Sequence, residues 1–452
     1  MIKKMKRIDF ENGSVTKNIF AAALPMLVAQ ILNLLYNIVD RIYIARIPHV
    51  GTAALGAVGL CFPVVVIITA FANLFGSGGA PLFSISRGQK KNKQAVHIMN
   101  TSFTMVCFSA VVLMMIGLFF ARPLLILFGA SRDALVYAFP YMMIYLIGTL
   151  PSMIAIGMNP FINAQGYSTT GMLSVAIGAV ANLLLDPLFI FVFDWGIRGA
   201  ATATVCAQLI ALVWQLHLFC RKDELIRLKK GIFRLKRKIV LDSLAIGMSP
   251  FLMNMASCFI VILINQGLKE HGGDLAIGAF GIVNRIVFVF IMIVLGLNQG
   301  MQPIAGYNFG AKLYLRVTEV LKVTICCATV VTTIGFLIGM FIPEIVSSIF
   351  TSDEELISIA SKGFRIVVFF YPIVGFQMVA SNFFQSIGMA SKAIFLSLTR
   401  QMLFLVPCLL ILPHYYGQMG VWASMPVADL AASLISGGML WWQFRQFKKV
   451  TV

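Results

Sequence analysis

Two aspartates stand inside long apolar segments, and each has an asparagine close to it at helical spacing. In the first segment, Asp40 follows Asn33, Tyr36 and Asn37 at seven, four and three residues. These spacings place side chains on one face of an α-helix. An ionisable side chain in the middle of a membrane costs about 3 kcal/mol even on the lower scales, so an acid kept there is expected to serve function.

The second aspartate, Asp186, follows Asn182 by four residues and precedes Pro187. Proline lacks a backbone donor, so a carbonyl is left free near the acid. Thr202 and Thr204 begin the next apolar segment. With the N-terminus inside the cell, both acids and both threonines fall in the outer half of the membrane. Asp40 and Asp186 are the two acids expected to lie well inside it.

Two carboxylates in one poorly solvated site cannot both ionise at low cost, so the pair is suited to binding a proton or a small cation. The oxygen atoms that could bind a sodium ion belong to Asp40, Asn182, Asp186 and Thr204. The same residues suit protonation equally well, and the sequence does not separate the two. Simpler alternatives are an ion pair of Asp40 with Arg41 and a helix-end role for Asp186.

The elements that position these residues are predicted to be membrane-spanning helices. Hydrophobic residues make up 59% of the 452 positions and charged residues 12%, whereas an ordinary soluble domain has about 25% charged residues. A span needs about 20 apolar residues. Twelve predicted spans cover residues 17–45, 55–79, 94–120, 135–163, 169–193, 198–220, 241–267, 277–301, 320–342, 363–387, 393–412 and 418–443.

The distribution of charge predicts the topology. The net charge is +18, and Lys and Arg concentrate at both termini and in alternate connections, which is the positive-inside pattern with cytoplasmic termini. The basic run at 221–238 is therefore interpreted as a linker at the membrane surface rather than a nucleic-acid site. The five histidines and eight cysteines form no metal-ligand pattern, and no P-loop occurs, so no cofactor is expected.

An internal repeat predicts two halves. Motifs recur at an offset of about 222 residues: residues 54–59 resemble 276–281, and paired positions include Pro151 with Pro372 and Gly166 with Gly388. The predicted organisation is an N-lobe at 1–220, a basic linker at 221–240 and a C-lobe at 241–452. Because each half has six spans, the repeats are parallel, with a pseudo-twofold axis along the membrane normal and a cavity between the lobes.

The sequence resembles the multidrug and toxic compound extrusion (MATE) family over nearly its whole length. The resemblance is carried by LPMLVAQILNLLYNIVDRIYIAR, ANLLLDP, GIRGAATAT and GMQPIAGYNFGAK. It implies efflux of organic, mainly cationic, drugs from the cell across the cytoplasmic membrane. Inward flow of protons or sodium ions would drive this efflux by alternating access, and a monomer would suffice.

The resemblance also assigns residues. It places the coupling site at Asp40, Asn182, Asp186 and Thr204. It also places Tyr36 and Tyr141 at positions lining the substrate cavity. From their spacing and depth, Asn33, Asn37, Thr202 and Arg400 are expected to be substrate-cavity residues too. The stretches 243–266 and 363–387 contain no acid, unlike the NorM-like branch, so coupling is expected to rest on the N-lobe alone, as in the DinF-like branch. Arg400 either faces the cavity or extends towards the membrane surface.

The closest alternative function is a flippase for lipid-linked precursors in the same superfamily. Such a protein should line its cavity with several arginines, whereas only Arg400, and less clearly Arg365, are expected there. A membrane-embedded enzyme would need a nucleophile with a base, or a metal constellation, and none is visible. A receptor would have little reason to duplicate a six-span unit.

Overall fold

The computed structural model describes residues 7–220, 227–228 and 235–451. All regular elements in these ranges are helices. Most of the predicted linker at 221–240 lies outside the described residues, although its end is helical, since a helix begins at Arg237. That is four residues before the predicted start of the C-lobe.

In the first half of the chain, the helices are long, and short turns connect them. They are α1 (Val15–Ala45), α2 (Gly51–Gly88), α3 (Asn92–Leu127), α4 (Arg132–Ile147), α5 (Thr149–Ala164), α6 (Ser168–Pro187) and α7 (Gly196–Cys220). A turn of π-helix, Leu188–Val192, extends α6 beyond Pro187. Proline here removes a hydrogen-bond donor, so the regular pattern is interrupted just after Asp186.

The second half has the same character. Its helices are α8 (Arg237–Gly310), α9 (Tyr314–Phe341), α10 (Pro343–Ser348), α11 (Glu354–Val367), α12 (Tyr371–Ser386), α13 (Ala390–Leu398), α14 (Val406–Tyr416) and α15 (Gln418–Thr451). A π-helical segment, Thr399–Leu405, joins α13 to α14. The long element α8 is two helices, because Gly273 within it has non-helical backbone angles, with a φ of 69°.

The number of spans in the described residues agrees with the prediction. Nine elements are long and apolar enough to cross a membrane, and two bent pairs, α4 with α5 and α11 with α12, raise the number to eleven. Dividing α8 at Gly273 gives twelve. The fold class, an all-helical protein with twelve membrane spans, is therefore confirmed.

The same irregularity occurs in both halves. The α4–α5 pair bends by 55° and the α11–α12 pair by 57°. Pro151 and Pro372, which the repeat pairs, both lie in the first turn after the bend, where proline is tolerated because that turn has unpaired donors anyway. Gly166 and Gly388, also paired, both have positive φ values, which glycine adopts at no steric cost.

The chain forms two compact units, and neither is a continuous half. Among the described residues, unit 1 comprises Arg7 and Ile8 with Val28–Gly247, and unit 2 comprises Asp9–Leu27 with Met248–Val452. The first part of α1 therefore packs in unit 2, and the first part of α8 packs in unit 1. The predicted lobes, by contrast, were continuous in sequence.

Glycines permit this exchange of helix ends. In unit 1, a Cβ atom at Gly247 would overlap the carbonyl oxygen of Leu74. In unit 2, a Cβ atom at Gly300 would lie 2.6 Å from the Cα of Ala23. Small residues let helix backbones approach this closely within a membrane, where packing replaces the hydrophobic effect as the driving force.

Candidate functional site: a carboxylate cluster in unit 1

The centre of the candidate site is a hydrogen-bonded group on α6 and α7. The side-chain amide of Asn182 donates to Asp186 Oδ1 at 3.3 Å and to Thr204 Oγ1 at 3.3 Å. Asp186 is fully buried, and Asn182 is 1% exposed. The structure thus brings together three of the four residues predicted to bind the coupling ion.

The fourth predicted residue, Asp40 on α1, joins this group. Its carboxyl group lies within hydrogen-bonding reach of the Asp186 carboxyl group. Two carboxyl groups this close favour a shared proton or a cation between them, because two buried like charges repel. Arg41 also interacts electrostatically with Asp40, but the pair forms no salt bridge among the described contacts.

Three side-chain oxygen atoms of the cluster accept no hydrogen bond from the described residues. Asp40 Oδ1, Asn182 Oδ1 and Asp186 Oδ2 are each buried, and none of them has a hydrogen-bond partner within the described part of the chain. A buried polar atom without a partner is costly, so such atoms call for a ligand or a proton. Oxygen atoms of this kind suit a proton or a hard cation.

The described residues form no metal site built only from His, Cys, Asp and Glu ligands. No group of three or more His, Cys, Asp or Glu residues there could hold a metal ion. A sodium ion at the cluster would therefore take its remaining ligands from amide and hydroxyl oxygens, such as those of Asn182 and Thr204. This composition fits a weakly held, exchangeable ion better than a resident metal.

Tyrosine side chains surround the two carboxyl groups. Tyr36 and Tyr141 both interact electrostatically with Asp40. The ring of Tyr141 stacks on that of Tyr145, with centroids 6.2 Å apart and an interplanar angle of 11°. The hydroxyl of Tyr145 lies near the side chain of Gln208 on α7. Tyrosine side chains thus lie next to the carboxyl pair.

Two residues near the carboxyl pair, Tyr145 and Gln208, were not predicted. Each lies four residues beyond a predicted residue on the same helix, Tyr145 after Tyr141 and Gln208 after Thr204. Extending each helical face by one turn would have found both.

Three other predicted residues stand apart from the cluster. The side chains of Asn33 and Asn37 are exposed, and the amide of Asn37 donates to the backbone carbonyl of Asn33 at 2.6 Å. The hydroxyl of Thr202 donates to the carbonyl of Arg198 at 2.8 Å, within its own helix. Their predicted place in a substrate cavity stays a prediction.

Unit 2 contains a third acid within a span, so the prediction that Asp40 and Asp186 are the only two was wrong. Asp429 on α15 is 4% exposed and forms an ion pair with Arg400, whose Nε lies 2.5 Å from its Oδ1. The two residues lie on consecutive antiparallel spans, and a search for opposite charges across that hairpin would have found the pair. Arg400 extends to this partner.

Arg365 is also accounted for. Its Nη2 lies 2.9 Å from Glu344 Oε1, and both side chains are about half exposed. An exposed ion pair of this kind contributes little to stability.

Together, the twelve spans, the two units and the acids within the spans of unit 1 define a polytopic membrane protein with a candidate ion site. The family model MatE matches residues 25–188 and 245–410, once in each half. The chain therefore belongs to the MatE family of MATE transporters, and it is not an enzyme.

Curated relatives align along almost the whole chain. Multidrug export protein MepA of Staphylococcus saprophyticus is 23% identical over 94% of this chain and 94% of its own. MepA of Staphylococcus aureus strain MSSA476 is 24% identical, with the same coverage of both chains.

Solved structures share the fold. A multidrug resistance MATE family transporter of the MOP superfamily, in its outward-facing conformation, has a TM-score of 0.90 at 24% identity, over 98% of each chain. A MOP superfamily transporter from Pyrococcus furiosus has a TM-score of 0.90 at 23% identity, over 100% of each chain. The chain thus shares its twelve-helix fold, built from two repeats, with these two transporters.

Proposed function

We propose that this chain is a secondary antiporter that exports organic, mainly cationic, compounds in exchange for protons or sodium ions. The observation that carries this proposal is the cluster of half-buried Asp40 with buried Asn182, Asp186 and Thr204, in which three buried oxygen atoms have no partner among the described residues. An intramembrane carboxyl pair is costly unless it binds something. A proton or a sodium ion that enters and leaves on each transport cycle meets this need.

The cluster can couple the ion to a conformational change because it joins three helices. Asp40 belongs to α1, Asn182 and Asp186 to α6, and Thr204 to α7. When the ion binds, it neutralises the charge and draws the three helices together. When the ion leaves, the carboxylates repel each other. An ion that binds one packing more tightly than another shifts the population towards it.

The irregular backbone beside Asp186 makes such a change inexpensive. The π-helical turn at Leu188–Val192 follows Pro187 directly, and both features mark a helix that is not locked by a regular hydrogen-bond ladder. We place the hinge of the coupling motion at this turn.

The proposed substrate class rests on the relatives and on the aromatic groups of unit 1. The MepA relatives are named multidrug export proteins, and the flippase alternative is not favoured by them. Aromatic rings such as those of Tyr36 and Tyr141 attract organic cations through their faces. These rings lie near Asp40, so a cation and the coupling ion would compete for the same negative charge.

The location and coupling scheme complete the proposal. We place the protein in the cell membrane, with both termini in the cytoplasm, and active as a monomer. Coupling would run through unit 1 alone, as in the DinF-like branch, because the acid in the spans of unit 2 is already neutralised by Arg400.

The test is efflux of ethidium from proteoliposomes under a proton gradient or a sodium gradient, imposed separately. The wild-type protein is expected to respond to one of the two gradients, and Asp40→Asn is expected to lose at least about 90% of that response, since a single missing charge-assisted contact is worth about tenfold. Initial rates are normalised to the amount of reconstituted protein.

The matched control is Asp133→Asn, which removes an exposed carboxylate from the first turn of α4. It should keep wild-type efflux. Full gradient-driven efflux by correctly folded Asp40→Asn would refute the assignment of the coupling site.

A further inference from the structure

The spans of unit 2 contain arginines that the proposed coupling site does not use. Unit 1 contains the acids Asp40 and Asp186. Unit 2 contains Arg400 and also Arg285, which lies within α8. Arg285 is exposed, and it has no hydrogen-bond or ion-pair partner among the described residues. An arginine facing lipid within a span is costly, so an unpaired one is expected to face a polar space or a ligand.

Arg400 is only partly used by its ion pair. Its Nε binds Asp429 Oδ1, and neither terminal nitrogen has a described protein partner. Those nitrogens are not among the buried unpartnered atoms of the described residues, and the Arg400 side chain is 24% exposed. The outer edge of the guanidinium group, with two parallel N–H donors, is therefore open to an acceptor.

Asp429 and Tyr371 hold this guanidinium group in position on the side away from its free nitrogens. Asp429 is almost fully buried. Tyr371 interacts electrostatically with both members of the pair, and its hydroxyl donates to the carbonyl of Val287 at 3.2 Å. Arg400 itself lies in the π-helical segment Thr399–Leu405, and such segments occur frequently at functional sites.

A planar guanidinium edge with two free N–H donors matches a carboxylate in a bidentate arrangement. We propose that unit 2 contains a binding site for an acidic group of the transported compound, in which Arg400 contacts that group. Asp429 and Tyr371 are positioning residues. The ligand class is an amphipathic organic compound with a carboxylate, including zwitterions. This inference rests on the proposed export function and assigns to Arg400 the contact with the acidic group of such a substrate.

The test is equilibrium binding in detergent, without any gradient, by fluorescence polarisation of two matched probes. One is a rhodamine with a free pendant carboxyl group, and the other is its methyl ester. Wild-type protein is expected to bind both. Arg400→Gln should weaken binding of the acid by about tenfold or more, as expected for a lost bidentate pair, and leave binding of the ester within about twofold.

Three further variants keep the test decisive. Arg365→Gln removes an arginine from an exposed ion pair in the same unit and should change neither affinity. The double variant Arg400→Gln/Asp429→Asn avoids an unpaired buried acid, so it serves if the single variant fails to fold, and it should show the same selective loss. Arg400→Lys should recover only part of the affinity for the acid.

Other outcomes overturn the inference in distinguishable ways. Equal weakening of both probes by Arg400→Gln would mean a structural role. An unchanged affinity for the acid would exclude contact with Arg400. If the wild type binds the ester but not the acid, this inference falls and the proposed function stands. If it binds neither probe, the proposed substrate class falls as well.

Discussion

Asp186→Asn is expected to slow gradient-driven efflux strongly while the protein still folds and binds ethidium. Asp186 is the most buried member of the cluster, and it accepts from Asn182 through Oδ1 while Oδ2 has no partner among the described residues. Asparagine keeps the shape but cannot take up a proton or carry the charge. We expect the efflux rate to fall by about 10- to 100-fold, the range for a lost charge-assisted contact.

The measurement is ethidium efflux from proteoliposomes, accompanied by thermal unfolding and ethidium binding of the same preparation. Retained folding and binding with lost efflux would assign Asp186 to coupling. Efflux within about twofold of wild type, which is less than one hydrogen bond to a charge is worth, would remove it from the site. Loss of folding would make Asp186 a structural residue instead.

The second large effect is expected on stability, from Gly247→Ala. Gly247 is at the point where the start of α8 packs in unit 1, against the backbone of Leu74. A methyl group there would overlap a carbonyl oxygen, which cannot move aside as a side chain can. Overpacking of this kind costs about 1–3 kcal/mol or more, and for a chain of this length we expect the unfolding temperature to fall by about 1–3 °C or more.

Gly281→Ala is the matched control in the same helical element, because nothing lies within 4 Å of the position of its Cβ atom. Alanine favours the helix over glycine by about 1 kcal/mol, so this variant should be as stable as wild type or more stable. Thermal unfolding in detergent compares the two. Equal unfolding temperatures for both variants would show that α8 does not pack on Leu74 as described.

Much of the site could be predicted because a buried acid is conspicuous in an apolar helix. Asp40 and Asp186 stood out by residue type alone, and the depth of each span correctly brought Thr204 towards Asn182. The number of spans followed from hydropathy, and the bends near Pro151 and Pro372 followed the repeat. These features depend on residues close together in the chain, so they can be predicted from the sequence.

What was missed depends on contacts between separate helices. Asp429 was overlooked because its significance comes from Arg400 on a neighbouring span. Arg285 was overlooked because it has no partner residue among the described contacts. The exchange of helix ends between the two units depends on backbone approaches at Gly247 and Gly300. A glycine in an apolar run does not reveal which helix lies against it.

The most direct test of the proposed coupling is the affinity of the wild-type protein for ethidium, measured at equilibrium across pH and sodium concentration. If the cluster binds the coupling ion and the substrate in a linked manner, one of the two ions must change this affinity, and the linkage must be reciprocal. We predict that the dependence disappears in Asp40→Asn/Asp186→Asn. An identical dependence in that double variant would place the coupling site elsewhere and contradict the proposal.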